Sequence, residues 1–276
     1  MIKIKLPNRI DAKMHRNKIE LVEYNKKFEK FFKKIGLQHI YDESQKIYHF
    51  KKNDVRVSKH PHIPDLSDLY YLYNLIVLNN RISILEYGTG WSSLIIYKAL
   101  LFNKKKNKGL SYTRCNNPYS LSIIDNSKKF INISKKRINK EFEAKPNIDF
   151  NYSKCEMMNY NGQYSHCYKK HPIKNPDFIF LDAPNQFYVT GKSENFTVNS
   201  FAMQPMSCDI LKFENFLTPG TIILIDGRSA NVRFLKSNFK RKWIFKTIPG
   251  SDLSILLLNE PTLGIWNSEQ LSFYNK

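Results

Sequence analysis

The sequence predicts an α/β protein built on a doubly wound, mostly parallel sheet, and three observations carry that expectation. From Pro64 onward, short apolar runs of β character alternate with longer amphipathic runs of helical period. Four of the apolar runs end in a carboxylate, at Glu86, Asp125, Asp182 and Asp226. The first breaks into Gly88-Thr89-Gly90 and then a helical pattern, so a tight turn feeds a helix N-terminus with free N–H groups.

Taken in order, residues 1–64 form a basic, aromatic N-terminal extension or cap of helical and extended pieces. Ile19, Val22, Phe28, Phe31, Phe32 and Ile35 fall at helical spacing, which predicts an amphipathic helix over 18–35. Extended pieces are expected at 38–41, 46–50 and 55–57. His60-Pro61-His62-Ile63-Pro64 ends the region, because a residue before proline is pushed out of helix. With no third ligand near them, its histidines read as loop residues. Residues 65–79 then form a helix with Leu66, Leu69, Leu72, Tyr73 and Ile76 as its stripe. A strand at 82–86 and a helix at 91–102 follow. The polar stretch 103–119, with Lys104-Lys105-Lys106-Asn107-Lys108, reads as a solvated insertion.

The second strand, 121–124, ends in Asp125, and Ser127 caps a helix to Phe142 with Phe130, Ile131, Ile133 and Ile138 inward. The third strand is 148–152, the stretch 159–176 is polar and irregular, and the fourth strand is 177–181. A loop carrying Gly191 leads to a helix at 209–217, and Pro219-Gly220 turns into the fifth strand, 221–225. Residues 231–239 are helical. Strands at 243–248 and 253–258, joined by Pro249-Gly250-Ser251-Asp252, bring the sheet to seven. The expected α/β domain spans 65–262, and 263–276 is a C-terminal tail.

Composition narrows the class. A chain of 276 residues with 42% hydrophobic and 14% aromatic residues can bury a proper core. The net charge of +20, from 44 Lys and Arg against 24 Asp and Glu, invites nucleic acid. Those charges are spread along the whole chain, however, and a Lys-, Asn- and Ile-rich, Ala-poor composition is what a low-GC coding bias produces. Cys115, Cys155, Cys167 and Cys208 form no CxxC pair and no zinc-type spacing, so free thiols are expected. The start, MIKIKLPNRI, lacks the apolar run of a signal peptide. No apolar run nears the ~18 residues a membrane span needs. A cytoplasmic protein is expected.

The residues ISILEYGTGWSSL (82–94), LSIID (121–125), PDFIFLDAP (176–184) and LTPGTIILIDGR (217–228) together resemble the class I S-adenosylmethionine-dependent methyltransferases over about 65–260. The resemblance implies a Rossmann-like sheet and S-adenosyl-L-methionine as cofactor. It places the glycine-loop set at Glu86, Tyr87, Gly88, Thr89, Gly90 and Ser92, with Asp125 and Asn126 at the ribose diol and Asp182 beside the cofactor. Physical chemistry agrees, since a diol offers two donors to a strand-end carboxylate and a sulfonium suits a carboxylate-rich rim. No Lys-Ser/Thr follows the turn as in a P-loop, and Ser93 stands where GxGxxG has its third glycine. Two departures from the family pattern are the length between Gly90 and Asp125, which makes 103–119 an insertion, and Trp91-Ser92 where a third glycine is frequent.

FLDAPNQFY (180–188) and GTIILIDGR (220–228) also look like the strand ends of catechol-type O-methyltransferases, which hold a magnesium ion. That likeness implies Asp182 and Asp226 as Mg2+ ligands, with Gly227 standing where an oxygen-bearing Asn is usual. A hydroxyl acceptor needs a base, and Asp182, Asp226 and His166 are the catalytic candidates. Tyr164 and Tyr168 are candidates for the acceptor pocket and Arg228 for an anionic acceptor group. The sequence thus points to an O-methyltransferase acting on a small molecule or sugar, with a homodimer plausible. An RNA methyltransferase and a non-catalytic binding or assembly protein on the same fold are the rivals.

Overall fold

The computed structural model describes residues 2–10, 18–46, 62–107, 115–143, 146–172 and 174–276. Its elements begin with helices α1 (Lys18–Lys34), α2 (Gln38–Ser44) and α3 (Leu66–Leu78), then strand β1 (Ser83–Tyr87) and α4 (Trp91–Lys106). β2 (Ser120–Asp125), α5 (Lys128–Glu141), β3 (Ile148–Tyr152), β4 (Cys155–Tyr160), β5 (Gln163–Tyr168) and β6 (Phe178–Leu181) follow. The chain ends through β7 (Val189–Thr190), α6 (Asp209–Phe213), β8 (Ile222–Ile225), α7 (Ser229–Asn238), β9 (Trp243–Thr247), β10 (Ser254–Leu258) and α8 (Gly264–Tyr274).

Seven strands form the main sheet in the order β3-β2-β1-β6-β8-β10-β9, and only β10 runs antiparallel to its neighbours. This is the mostly parallel, seven-stranded, Rossmann-like sheet expected. Its inner strands are buried residue by residue because both faces are covered. Ile84, Leu121 and Ile123 face one core layer with α3 and α4, whereas Leu85 and Ile124 face the other with α6 and α7. The strand order reverses between β1 and β6, where an open α/β sheet makes its ligand crevice.

Ser127 caps its helix as foreseen, whereas Asp65, expected inside the first helix of the domain, stands before it as the cap. Asp65 accepts from the N–H groups of Ser67 and Asp68 at the start of α3, and Ser127 Oγ accepts from Phe130 N–H at the start of α5. Lys104, Lys105 and Lys106 close the last turn of α4, where cations suit the helix dipole, rather than an insertion loop. Among the described residues no helix is long and apolar enough to cross a membrane.

Three stretches differ from the sequence reading. Residues 38–41 are helical, because Leu37 and Ile40 lie three apart and both are buried beneath α1. The supposedly irregular 159–176 contains most of a β4–β5 hairpin, which with β7 forms a second, three-stranded sheet. Its turn is Asn161-Gly162 with φ of 51° and 79°, the positive pair that two-residue hairpin turns require. Residues of the expected tail form α8. The extended pieces expected at 55–57 and over most of 46–50, and His60, lie outside the described residues.

α8 closes the edge of the sheet opposite the crevice. Arg81, 1% exposed, donates to the carbonyls of Gly220 (2.9 Å) and Asp177 (3.3 Å), and its guanidinium lies 4.0 Å over the Tyr274 ring. Asp177 accepts from the N–H groups of Ile82 and Ser83 and from Tyr274 Oη at 3.0 Å. One cation and one carboxylate thus tie β1, β6, β8 and α8 together. Tyr274→Phe, which removes only the hydroxyl, is expected to lower stability by roughly 1–3 kcal/mol. Thermal denaturation at neutral pH checks it, and an unchanged midpoint would mean that α8 is not held by this bond.

Candidate functional site

The crevice is built outward from Glu86, the last acid of β1. Glu86 is fully buried and accepts from Ser92 Oγ at 2.5 Å and Ser93 Oγ at 2.7 Å, both on the first turn of α4. Burial pushes its carboxyl up to about 8, against the two serine bonds that pull it down. Ser93 Oγ also meets Thr89 Oγ1 at 2.9 Å and accepts from Gly90 N–H at 3.4 Å, so this hydroxyl network closes the turn.

The two glycines of the turn serve different ends. Gly88 has φ of +101°, and a Cβ there would stand 2.9 Å from Ala183 Cβ. Its N–H donates to Ile124 O at 2.9 Å. Gly90 is extended, with φ of −176°, and a Cβ on it would meet nothing within 4 Å. Gly88 lets two strand ends touch, and Gly90 leaves backbone bare beside open space.

That space is a cavity of about 310 Å³, within the roughly 300–1,000 Å³ common for small-molecule sites. Thr89, Gly90, Trp91 and Ser92 form one wall, and Asp68, Leu69 and Leu72 of α3 another. Asp182 and Asp226 close it at the sheet edge, and Phe130, Ile133 and Arg137 of α5 line the side. The Arg137 guanidinium stacks 3.6 Å over the Trp91 ring, whose Nε1 donates to His62 O at 3.2 Å. A second cavity of about 670 Å³ shares Asp65 and Asp68 with the first.

Asp182 points its carboxylate into the opening; its side chain is 54% exposed. Its N–H donates to Tyr87 O at 3.0 Å. Burial of the crevice floor raises its carboxyl, and Arg228, with Nε 3.8 Å from Oδ1, opposes that rise. Arg228 is itself tied down, donating to Asp182 O (2.7 Å) and Pro184 O (3.1 Å). It therefore braces the loop after β6 through Nη2, while Nε and Nη1 have no hydrogen-bond partner.

Asp125 and Asn126 lie behind the turn. Asp125 is 5% exposed, and its carboxylate accepts from Ser127 N–H at 2.6 Å and from Thr89 N–H. Burial pushes it up to about 7, against those bonds. Asn126 Nδ2 donates to Asn185 O at 3.3 Å. Neither residue lines the cavity as it stands.

Several expectations need correction. His166 is not at the crevice: it lies on β5, fully buried, with Nε2 accepting from Met206 N–H at 2.9 Å and Nδ1 3.6 Å from Cys155 Sγ. Burial pushes it down to about 3, so it is a neutral core imidazole with no route for a proton. Tyr87 brings only its backbone, since its ring stacks on Tyr168 and its hydroxyl meets His171 Nε2. Tyr168 is buried by that stacking. Tyr164 stacks on Phe196 and donates to Glu194 on the surface, so neither tyrosine lines the cavity.

The carboxylates that gather are not the pair assigned to a cation. Among the described residues, Asp68, Asp226 and Asp252 bring one oxygen each within 4.8 Å of one another. Asp182 stands outside that trio and faces Arg228. Burial, followed by the charge of Asp226, pushes Asp68 up to about 9, and burial with Asp182 and Asp252 raises Asp226 well above the ordinary range. Asp68 therefore holds its proton at neutral pH, and the ionisation of Asp226 is opposed in the same way. Sequence reading missed Asp68 by leaving it off the helix stripe, although Asp65, Asp68, Leu69 and Leu72 share one helical face. Asp252 was hidden in a joining turn.

Fold and crevice together define the class: a doubly wound α/β protein with an acid-rimmed site at the switch point of its sheet. No protein-family model matches the sequence, and no curated protein matches it either. Solved structures do. The O-methyltransferase from Bacillus cereus in complex with SAH shares 15% identity over 76% of this chain and 88% of its own, with a TM-score of 0.40. The O-methyltransferase TomG from Streptomyces achromogenes in complex with SAM shares 14% over 80% and 95%, with a TM-score of 0.42. Human methyltransferase-like protein 13 in complex with SAH shares 14% over 72% and 82%, with a TM-score of 0.35.

Two outcomes are expected of this geometry. Gly88→Ala forces a side chain into positive φ and against Ala183, and is expected to cost roughly 1–3 kcal/mol, whereas Gly90→Ala should leave the unfolding midpoint in denaturant nearly unchanged. Equal losses would mean that the close approach is not tight. The second concerns pH. Asp68 keeps its proton in the folded state up to about 9 but loses it near its ordinary value once unfolded. The folded chain therefore binds the extra proton, and this residue's contribution to stability falls as pH climbs from about 4 to about 9. Asp68→Asn removes that loss, so its melting temperature relative to wild type should climb from pH 5 to pH 9; a constant difference would refute the shift.

Proposed function

We propose that this chain is an S-adenosylmethionine-dependent methyltransferase that acts on a hydroxyl of a small molecule or sugar. The observation that carries the reading is the pairing, across one cavity, of the bare Thr89-Gly90 backbone at the start of α4 with the strand-end carboxylate of Asp182. The N-terminus of α4 suits the carboxylate of an amino-acid moiety. Carboxylates suit a sulfonium. The absence of any Cβ contact at Gly90 supports the fit, because the ligand can approach the main chain there.

When bound, the cofactor supplies a methyl group for in-line transfer. Thr89, Gly90 and Ser92 would hold its amino-acid end, and Asp125, released from its own loop, would accept from the ribose diol. Asp182 is the residue we assign to the acceptor's hydroxyl proton: it faces the opening, and Arg228 keeps it from the strong rise that affects Asp226. Asp226, whose carboxyl burial raises, would donate a hydrogen bond in the acceptor pocket. Arg228 is a positioning residue, since it acts through the loop after β6. No step runs through a metal ion, because Asp182 already faces an arginine and Gly227 offers no side-chain oxygen.

A second reading, a non-catalytic binding protein on the same scaffold, has one observation in its favour. Asp125 is 5% exposed and already satisfied by Ser127 and Thr89, so it must turn before it can meet a ribose. Calorimetry separates the two. The methyltransferase reading predicts that S-adenosylhomocysteine binds the wild-type chain and that Gly90→Leu, which fills the cavity, weakens binding at least tenfold while folding normally. Absence of binding would reject it in favour of the second reading. Asp182→Asn is expected to keep cofactor affinity but to lower transfer to a hydroxyl acceptor by roughly 10²–10⁴-fold, the usual span for a lost general base. Undiminished transfer would move the base elsewhere.

A further inference from the structure

Three of the four free cysteines gather where the second sheet meets α6, and the proposed reaction uses none of them. Cys167 lies on β5 and Cys208 immediately precedes α6. His166 and Ser207 form a parallel bridge, braced by His166 N–H to Met206 O and Cys208 N–H to His166 O, each at 3.0 Å. Cys167 and Cys208 are the next pair along that bridge, so their side chains leave by the same face. Paired strands run about 4.8 Å apart, inside the separation of roughly 4.4–6.8 Å between Cα atoms that a disulfide spans.

The sulfurs converge as the backbone predicts. Met158 Sδ is 3.2 Å from Cys167 Sγ and 3.3 Å from Cys208 Sγ, so one thioether meets both thiols. Lys212 on α6, exposed to solvent, brings Nζ to 3.6 Å from Cys167 Sγ. Cys167 keeps 9% of its surface accessible, and Cys208 none. The neighbouring Cys208 and the Lys212 ammonium hold the Cys167 thiol below its usual range against burial, whereas the neighbouring Cys167 and burial push Cys208 up. Cys155 has no such help: burial pushes it up, and it is fully buried.

We propose that Cys167 and Cys208 form an oxidation site, with Cys167 as the thiol that reacts with a hydroperoxide and Cys208 as the thiol that resolves it. The Cys167 thiolate attacks one peroxide oxygen, the O–O bond breaks, and the departing hydroxide takes a proton to leave as water, or as an alcohol from an alkyl hydroperoxide. Cys208 sulfur then attacks the resulting sulfenic sulfur, the S–O bond breaks, and that hydroxide leaves as water with the proton from Cys208. Two thiols are oxidised by two electrons and one peroxide is reduced. Lys212 serves the first step by favouring the thiolate.

The test is peptide mapping of the full chain after one equivalent of hydrogen peroxide and alkylation with N-ethylmaleimide. The expected product is lighter by about 2 Da before alkylation, has two of its four thiols blocked, and yields a non-reduced peptide joining Cys167 to Cys208. In Cys208→Ser, dimedone should label Cys167 as a trapped sulfenic acid; in Cys167→Ser it should not label Cys208. Four alkylated thiols, a disulfide through Cys155, or oxidation that stops at Met158 would each overturn the proposal. The wild-type map decides the matter even if a variant fails to fold.

Discussion

The carboxyl edge of this protein depends on the approach of Gly88 to Ala183. β1 and β6 are neighbours at the reversal of strand order, and the chain leaving β1 must turn into α4 within three residues. It can do so only by pressing its backbone against the end of β6, at a distance that leaves no room for a side chain. Gly88 N–H to Ile124 O and Asp182 N–H to Tyr87 O brace the contact from both sides. α4 then packs into one core layer and α6 into the other, and the crevice opens among α3, the start of α4 and α5. Every later feature of the site, from the Glu86–serine clamp to the direction of Asp182, inherits its position from that contact.

Crowding acids along one buried edge has an electrostatic consequence. Desolvation opposes ionisation of Glu86, Asp125, Asp68 and Asp226, and each carries a raised carboxyl for that reason first. The structure answers with three devices. Serine hydroxyls satisfy Glu86, main-chain N–H groups satisfy Asp125, and Arg228 faces Asp182. The trio of Asp68, Asp226 and Asp252 has no such partner among its own members, and burial raises Asp68 and Asp226 unopposed by one. In a chain of net charge +20, this edge is an acid-rich pocket suited to a cationic or hydroxyl-rich ligand.

Much of this was legible in the sequence, for reasons that can be stated. Parallel strands buried on both faces read as continuous apolar runs, so β1, β2, β6 and β8 stood out, and their terminal acids marked one edge. The β4–β5 hairpin did not stand out, because its strands carry Glu156, Asn159, Gln163 and His166 among the apolar residues; Asn161-Gly162 was the available signal. His166 looked like a base in a polar loop only because that loop is really a strand whose inward face it occupies. α8 was missed because Ile265 and Trp266 are exposed while Leu271 and Tyr274, further on, make the buried contacts. Asp68, Asp226 and Asp252 come together from elements distant in sequence, and no local pattern announces such a meeting.

The most direct test of the account is a crystal structure of the chain grown with saturating S-adenosylhomocysteine. The account predicts the nucleoside in the cavity between Thr89–Ser92 and Asp182, with its amino-acid end at the start of α4 and Asp125 turned toward the ribose. A cavity empty of ligand at saturation, or the nucleoside bound away from the glycine turn, would contradict it.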